Sequence, residues 1–311
     1  MTKKIAFVFP GQGSQAVGML DAFAGNAAVA DAVARAGAAL GQDLGALIAH
    51  GPVEQLNLTT NTQPVMLTAG VAFFDAWRAA GGRMPDMVAG HSLGEYAALV
   101  AAGALSLEDA VRLVRIRADA MQRAVPVGTG GMAAILGLDD DTVRAVCAQS
   151  GQGEIVEAVN FNAPAQVVIA GHAAAVTRAC EAAKAAGAKR ALPLPVSAPF
   201  HSSLMRPAAD ELAAALAGIT ISAPSITVVN NVDVATPTDA AAIRDALVRQ
   251  AWHPVRWVET VQFFKAQGVT HLIECGPGKV LAGLTKRIDG ELTALAITDP
   301  ASLDAALAAI A

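Results

Sequence analysis

Short Val/Ile/Leu runs alternating with alanine-rich helical stretches predict an α/β fold with a mostly parallel sheet, since strands covered by helices on both faces read as continuous apolar runs. Two further observations refine that class. Residues 85–100, Pro-Asp-Met-Val-Ala-Gly-His-Ser-Leu-Gly-Glu-Tyr-Ala-Ala-Leu-Val, carry an apolar run into G-x-S-x-G and directly on into a helical stretch, a strand, sharp turn and helix with a serine at the apex. Between residues 127 and 196 the pattern changes to β-α-β-β-α-β, the order of a ferredoxin-like split βαβ unit.

Taken in order, residues 4–9 read as a buried first strand, and Pro10-Gly-Gln-Gly-Ser14 turns the chain out of it, with a helix expected to follow. Helical periodicity covers 27–49 and 62–80, Gly81-Gly82 stops the second stretch, and residues 87–89 form the strand that feeds Ser92. Ser106-Leu-Glu-Asp109 is a capping signal for a helix reaching about Ala124. The middle unit divides into a strand at 132–138, a helix at 139–150, strands at 154–161 and 166–171, a helix at 173–186 and a strand at 189–196. Residues 127–196 are thus expected to be a domain inserted into a larger one made of 1–126 and 197–311, to which 226–230 and 271–275 add strands. The two junctions would flank a cleft, a common place for a ligand.

Composition narrows the function classes. A chain of 311 residues with 54% hydrophobic content can build a large core. Its mean hydropathy of +0.44 comes mostly from alanine, and no apolar run approaches the ~18–20 residues of a membrane span. Lys3-Lys4 precedes only five apolar residues before Pro10, too short for a signal-peptide core, so a soluble cytoplasmic protein is expected. Cys147, Cys180 and Cys275 are odd in number and lack metal-ligand spacing, as buried thiols of a reducing compartment do. A net charge of −5 and a pI near 5.7 argue against nucleic acid as a partner.

Ser92 is the candidate nucleophile. The glycines permit a tight backbone course, and the helix that follows aims unpaired N–H groups at any oxyanion formed there. A serine hydroxyl needs a base, and of six histidines His201 stands apart: Ser197-Ala-Pro-Phe-His-Ser-Ser203 follows the last strand of the insertion and returns the chain to the main domain at the cleft. Arg117 falls with Ala110, Val114 and Met121 on the apolar arc of its helix. A guanidinium facing inward needs an anion, either an internal Asp or Glu or a substrate carboxylate gripped by its planar fork; a snorkelling side chain is the third reading. Gly11-Gln-Gly-Ser-Gln-Ala16 also fits a relaxed dinucleotide fingerprint, which would imply an oxidoreductase, although Pro10 and the helical setting of Asp31 speak against it. As a loop, Gly11-Gln12-Gly13 presents N–H groups near the carboxyl edge of the sheet.

Phe9-Pro-Gly-Gln-Gly-Ser-Gln15, Gly90-His-Ser-Leu-Gly-Glu-Tyr96, Asn160-Phe-Asn162, Pro199-Phe-His201, Val229-Asn-Asn231 and Glu274-Cys-Gly-Pro-Gly-Lys279 occur in the order found in malonyl-CoA:acyl-carrier-protein transacylases of fatty-acid synthesis, a family this chain resembles along nearly its whole length. The resemblance implies an α/β-hydrolase-like large domain with a ferredoxin-like insertion. It implies that Ser92 carries the acyl group, that His201 serves as base and acid, and that Arg117 pairs with the malonyl carboxylate. Gln12 and Leu93 match the positions whose backbone N–H groups form the oxyanion hole. Gln250 matches the residue whose main-chain carbonyl orients the histidine in place of an acidic triad member. Asn162 and Gln63 resemble polar pocket residues, and Phe200 narrows the space beside the substrate's α-carbon, favouring malonyl over methylmalonyl. Also implied are a ping-pong reaction, malonyl-CoA and an acidic acyl carrier protein as partners, a monomer, and no metal or redox cofactor. Lys184, Lys189, Arg190, Lys286 and Arg287 are candidates for the surface that meets the carrier. A serine thioesterase or hydrolase is the nearest alternative, and a non-catalytic carrier-binding scaffold a more distant one.

Overall fold

The computed structural model describes residues 3–196 and 198–311. The chain opens with β1 (Ile5–Phe9), buried at all five positions. Residues 10–26 then run through turns and one short 3-10 turn, Asp21–Phe23, where an α-helix was expected; Gly13 and Gly18 take φ of 108° and 77°, outside any right-handed helical path. Two helices, α1 (Ala27–Leu40) and α2 (Leu44–His50), replace the single one read over 27–49. Gly41 ends the first in the left-handed conformation and the Asp43 side chain caps the second by accepting from the Ala46 N–H. The single turn α3 (Val53–Leu56) leads to α4 (Thr59–Ala79), which begins three residues before the periodicity indicated and is buried on nearly every side. Next come β2 (Met87–Gly90), α5 (Gly94–Ala101) and α6 (Leu107–Ala124), the last capped by Ser106 accepting from the Asp109 N–H, as its sequence predicts.

The expected βαββαβ order follows as β3 (Gly130–Leu136), α7 (Asp140–Ser150), β4 (Val156–Ala163), β5 (Gln166–His172), α8 (Ala173–Ala185) and β6 (Arg190–Pro193). These strands form an antiparallel sheet in the order β4-β5-β3-β6, the ferredoxin-like arrangement. Its helix-covered face buries Ile135, Val143, Val167, Ile169 and Val176. Its other face carries Met132 and Val168, with Leu194, Val196 and Phe200 packed against them.

The chain then supplies α9 (Arg206–Ala217), β7 (Thr227–Val229), α10 (Ala240–Gln250), α11 (Trp257–Ala266), β8 (His271–Cys275), α12 (Val280–Ile288), β9 (Thr293–Ile297) and α13 (Pro300–Ile310). The larger sheet has the order β7-β2-β1-β8-β9, with every pairing parallel. From β1 the later strands depart in both directions, β2 and β7 to one side and β8 and β9 to the other, and the loops leaving the carboxyl ends of β1 and β2 lie side by side because Phe9 pairs with Gly90. Behind the sheet α4 is clamped by edge-to-face contacts of Phe7 with Phe74 and Trp77, at centroid distances of 5.8 and 5.0 Å. Among the described residues no helix is long and apolar enough to cross a membrane.

Candidate active site

Ser92 sits at the apex between β2 and α5 with φ of 52°, a conformation that an L-residue keeps only when its surroundings hold it there. The flanking glycines are required by contact rather than by flexibility. A Cβ on Gly90 would lie 1.8 Å from the Gly94 carbonyl carbon, and one on Gly94 would lie 2.0 Å from the Phe9 oxygen. Side chains from distant elements fix the strained residue at both of its peptide groups. The Ser92 N–H donates to Asn231 Oδ1 (2.7 Å), whose Nδ2 donates to the Gly90 carbonyl (2.7 Å), and the Ser92 carbonyl accepts from Gln250 Nε2 (2.8 Å).

His201 meets Ser92 across the expected junction. Its Nε2 lies 2.6 Å from Ser92 Oγ and its Nδ1 lies 2.9 Å from the main-chain oxygen of Gln250. A carbonyl only accepts, so Nδ1 carries the ring proton and Nε2 presents a lone pair to the serine hydroxyl, the tautomer a general base requires. Burial, followed by the positive charge of Arg117, pushes the His201 pKa down to about 3. The expected result in an NMR titration is a His201 ring that stays neutral from about pH 8 to 5; protonation midway through that range would contradict it. Since the folded-state pKa lies below the ordinary 6.5, the unfolded chain takes up this proton first, and His201 withdraws stability as the pH falls below 6.5.

Arg117 is 3% exposed, and its hydrogen-bond partners are neutral. Nη1 donates to Gln63 Oε1 (2.8 Å), and Nη2 donates to Gln250 Oε1 (3.0 Å) and to Ser92 Oγ (3.2 Å). The Tyr96 ring lies below its Cζ, 5.5 Å from centre to carbon. The side chain therefore neither snorkels nor pairs directly with an internal carboxylate. Burial lowers its pKa, and the charges of Tyr96 and Glu95 act against that shift.

Gln12, Leu93, Gln63 and Asn162 line one cavity of about 210 Å³ with Ser92, Arg117 and His201, and the uncovered face of the smaller sheet supplies Met132 and Val168 as its opposite wall. Gln12 Nε2 donates to Thr59 Oγ1 (3.2 Å), and Asn162 Oδ1 lies 2.8 Å from His91 Nε2. The His91 pKa is lowered by burial. Gln250 stands behind the cavity and acts on it through its carbonyl and its amide. Larger clefts lie elsewhere: one of about 470 Å³ between α1 and α2 contains none of these groups, and one of about 610 Å³ shares only His201 with the site. The dinucleotide reading finds no support, because Gly11–Ala16 runs into turns and Asp31 faces Arg35 on α1.

Two residues with no role assigned from sequence belong to this arrangement. Asn231 was visible only as part of a matching tripeptide, and Glu95 only as the residue after the elbow. Glu95 is 2% exposed; its Oε2 accepts from the Asn231 N–H (2.9 Å) and from Gln250 Nε2 (3.1 Å). Burial pushes its pKa up to about 7 against the hydrogen bonds from Gln250 and Asn231. A lone acidic residue at a helix start carries no sequence signal that it will be buried.

Comparison with known proteins places this geometry in a family. Residues 6–287 match the acyl transferase domain. A protein of Salmonella typhimurium named malonyl CoA-acyl carrier protein transacylase is 62% identical over 98% of this chain and 99% of its own length, and the Escherichia coli protein of the same name is 59% identical over the same shares. The crystal structure of an acyl-carrier-protein S-malonyltransferase from Burkholderia pseudomallei superposes with a TM-score of 0.97 at 69% identity, covering 98% of this chain and 99% of that one. A further structure, of a type II PKS acyl-carrier protein in complex with its malonyl-transacylase, has a TM-score of 0.97 at 54% identity, with 98% and 99% coverage. With a serine on a glycine-flanked turn, a histidine on its hydroxyl and sequence identity extending from end to end, this chain belongs to the acyl transferase family, among the malonyl CoA-acyl carrier protein transacylases.

Proposed function

We propose that this protein transfers a malonyl group from malonyl-CoA to the phosphopantetheine thiol of an acyl carrier protein, through a malonyl-Ser92 intermediate, and so supplies fatty-acid synthesis. One observation carries the reading: Ser92 Oγ is touched at once by the His201 base and by the Arg117 fork. A carboxylate held by Arg117 brings the thioester at the far end of a three-carbon acyl group to that hydroxyl. His201 Nε2 takes the hydroxyl proton as Oγ attacks the thioester carbon, and returns it to the CoA sulfur as the C–S bond breaks. The carrier thiol then gives its proton to His201 as its sulfur attacks the ester carbon, and His201 returns that proton to Ser92 Oγ as the ester C–O bond breaks, leaving a malonyl thioester on the carrier and a free serine. We assign the oxyanion to the Gln12 and Leu93 N–H groups, neither of which donates to another protein group among the described residues. Gln63 and Gln250 hold the Arg117 fork, and Asn162 fixes His91 beside the nucleophile.

All of these groups come from the protein, so the reaction as written calls on no metal or redox cofactor, and the protein is taken to be a cytoplasmic monomer. The division into 1–126 with 197–311 and an inserted 127–196 is likewise our reading, supported by the two separate sheets. Intact-mass measurement after mixing with malonyl-CoA tests the function: a malonyl adduct that persists, and that a phosphopantetheinylated carrier discharges, is expected. Free malonate without an adduct would favour a thioesterase.

For the carrier we propose a basic end of the smaller sheet. Arg287 of α12 donates to Gln166 at the start of β5; Gln166 pairs with Leu136, and Leu136 with Arg190. Arg190 and Arg287 thus stand at the same end of that sheet, with Lys189 next to Arg190, Lys184 in the last turn of α8 and Lys286 in that of α12. Charge reversal at these five is expected to raise the KM for the carrier while leaving malonyl-CoA acylation of Ser92 unchanged. An unaltered carrier KM would remove the patch from the reading.

A further inference from the structure

Gln250 bridges the buried Arg117 cation and the buried carboxyl of Glu95, an anion above its pKa of about 7. Its Oε1 accepts from Arg117 at 3.0 Å and its Nε2 donates to Glu95 at 3.1 Å, so the two ends of one amide face opposite charges. The same Nε2 also holds the Ser92 carbonyl. An amide can turn end for end at little cost in volume, and here such a turn would point NH2 at a guanidinium and an oxygen at a carbonyl. The anion at Glu95 makes that orientation unfavourable. Its second bond acts on the other side of the nucleophile, because the Asn231 main chain it anchors belongs to the residue whose side chain holds the Ser92 N–H and the Gly90 carbonyl. Three hydrogen bonds around the elbow and one on the arginine fork therefore depend on groups whose other contact is Glu95 Oε2. Asn231, Gln250 and Glu95 are 0%, 1% and 2% exposed, which leaves little solvent to substitute for a lost partner.

We propose that Glu95 is a positioning residue for the transfer reaction: its carboxylate fixes the orientation of the Gln250 amide and the position of Asn231, and through them the Ser92 backbone and the Arg117 fork. Glu95 touches neither Ser92 Oγ nor the imidazole of His201; it acts on both halves of the site through one shared amide. The inference rests on the proposed acylation of Ser92 and selectivity of Arg117.

The test is a double-mutant cycle of Glu95→Gln and Gln250→Ala, read as kcat/KM for Ser92 acylation by malonyl-CoA and by acetyl-CoA. E95Q keeps the shape and removes the charge. Acylation by malonyl-CoA is expected to fall roughly 10- to 100-fold, the size of one or two charge-assisted hydrogen bonds, with a smaller fall for acetyl-CoA because the arginine fork is disturbed as well. In the Q250A background E95Q is expected to cost less than about half as much on a logarithmic scale, since its main route of action has been removed. Effects that multiply, together with equal losses for both acyl groups, would overturn the proposal and leave Glu95 a general support of the fold. If E95Q does not fold, Glu95→Asp, which keeps the charge and withdraws it by one methylene, enters the same cycle with the same outcomes. Absence of a malonyl adduct in the unmodified protein would refute the acylation reading itself, whereas an adduct formed equally fast by E95Q would refute only the role of Glu95.

Discussion

Ser92→Ala is expected to form no malonyl adduct and to lose transfer to the carrier by roughly 10⁴-fold or more, the scale seen when a covalent nucleophile is removed from an otherwise complete site. The substitution deletes one oxygen. Its backbone clamps, the Ser92 N–H to Asn231 and the Ser92 carbonyl from Gln250, use main-chain atoms that alanine also has, and the positive φ burdens serine and alanine alike. Folding should therefore persist, and circular dichroism beside the intact-mass spectrum separates lost chemistry from lost structure. An adduct of unchanged mass and yield in the variant would move the acyl group to another side chain.

Arg117→Ala is expected to lower kcat/KM for malonyl-CoA by roughly 10²- to 10⁴-fold while changing acetyl-CoA far less, since two charge-assisted hydrogen bonds to a carboxylate are each worth about 1.5–3 kcal/mol. The neutral partners of the guanidinium enlarge the contrast. Gln63, Gln250 and Ser92 occupy its N–H groups without placing a negative charge in direct contact, and Glu95 is held off behind the Gln250 amide, so a malonyl carboxylate can supply the direct ion pair that an acetyl group cannot. Removing Arg117 also removes the positive charge that, after burial, lowers the His201 pKa, which strengthens the base and should support the acetyl reaction. Lysine at 117 restores charge without the fork and should recover only part of the loss. Equal losses for the two thioesters would refute the carboxylate role.

The legible parts of the fold were those with a strong local cause. The turn at Ser92 could be read because its glycines are imposed by contacts of under 2.1 Å, and the βαββαβ unit because each of its elements carries its own periodicity. Arg117 could be placed because helical spacing alone puts it on a buried face. The break at Gly41 rests on two caps, the left-handed Gly41 and the Asp43 side chain, which apolar periodicity does not register. The strand β9 and helix α13 also escaped, since Thr293-Ala-Leu-Ala-Ile297 is short and half-buried and gains its identity only beside β8. Glu95 and Asn231 lie 136 positions apart and meet in one hydrogen bond, a relation that no window of sequence contains.

The partner that orients His201 is a peptide oxygen, and this alters how the site can decay. A triad whose third member is an aspartate can be lost in one nucleotide change. Here every amino acid at position 250 brings the same carbonyl, so the orientation of the imidazole is encoded in the path of the chain at the end of α10 rather than in the residue there. Substitution at 250 thus removes the amide that meets Arg117 and the Ser92 carbonyl, while the carbonyl that orients the imidazole remains. One residue therefore serves the site in two separable ways, its main chain orienting the imidazole and its side chain holding the arginine fork and the serine backbone.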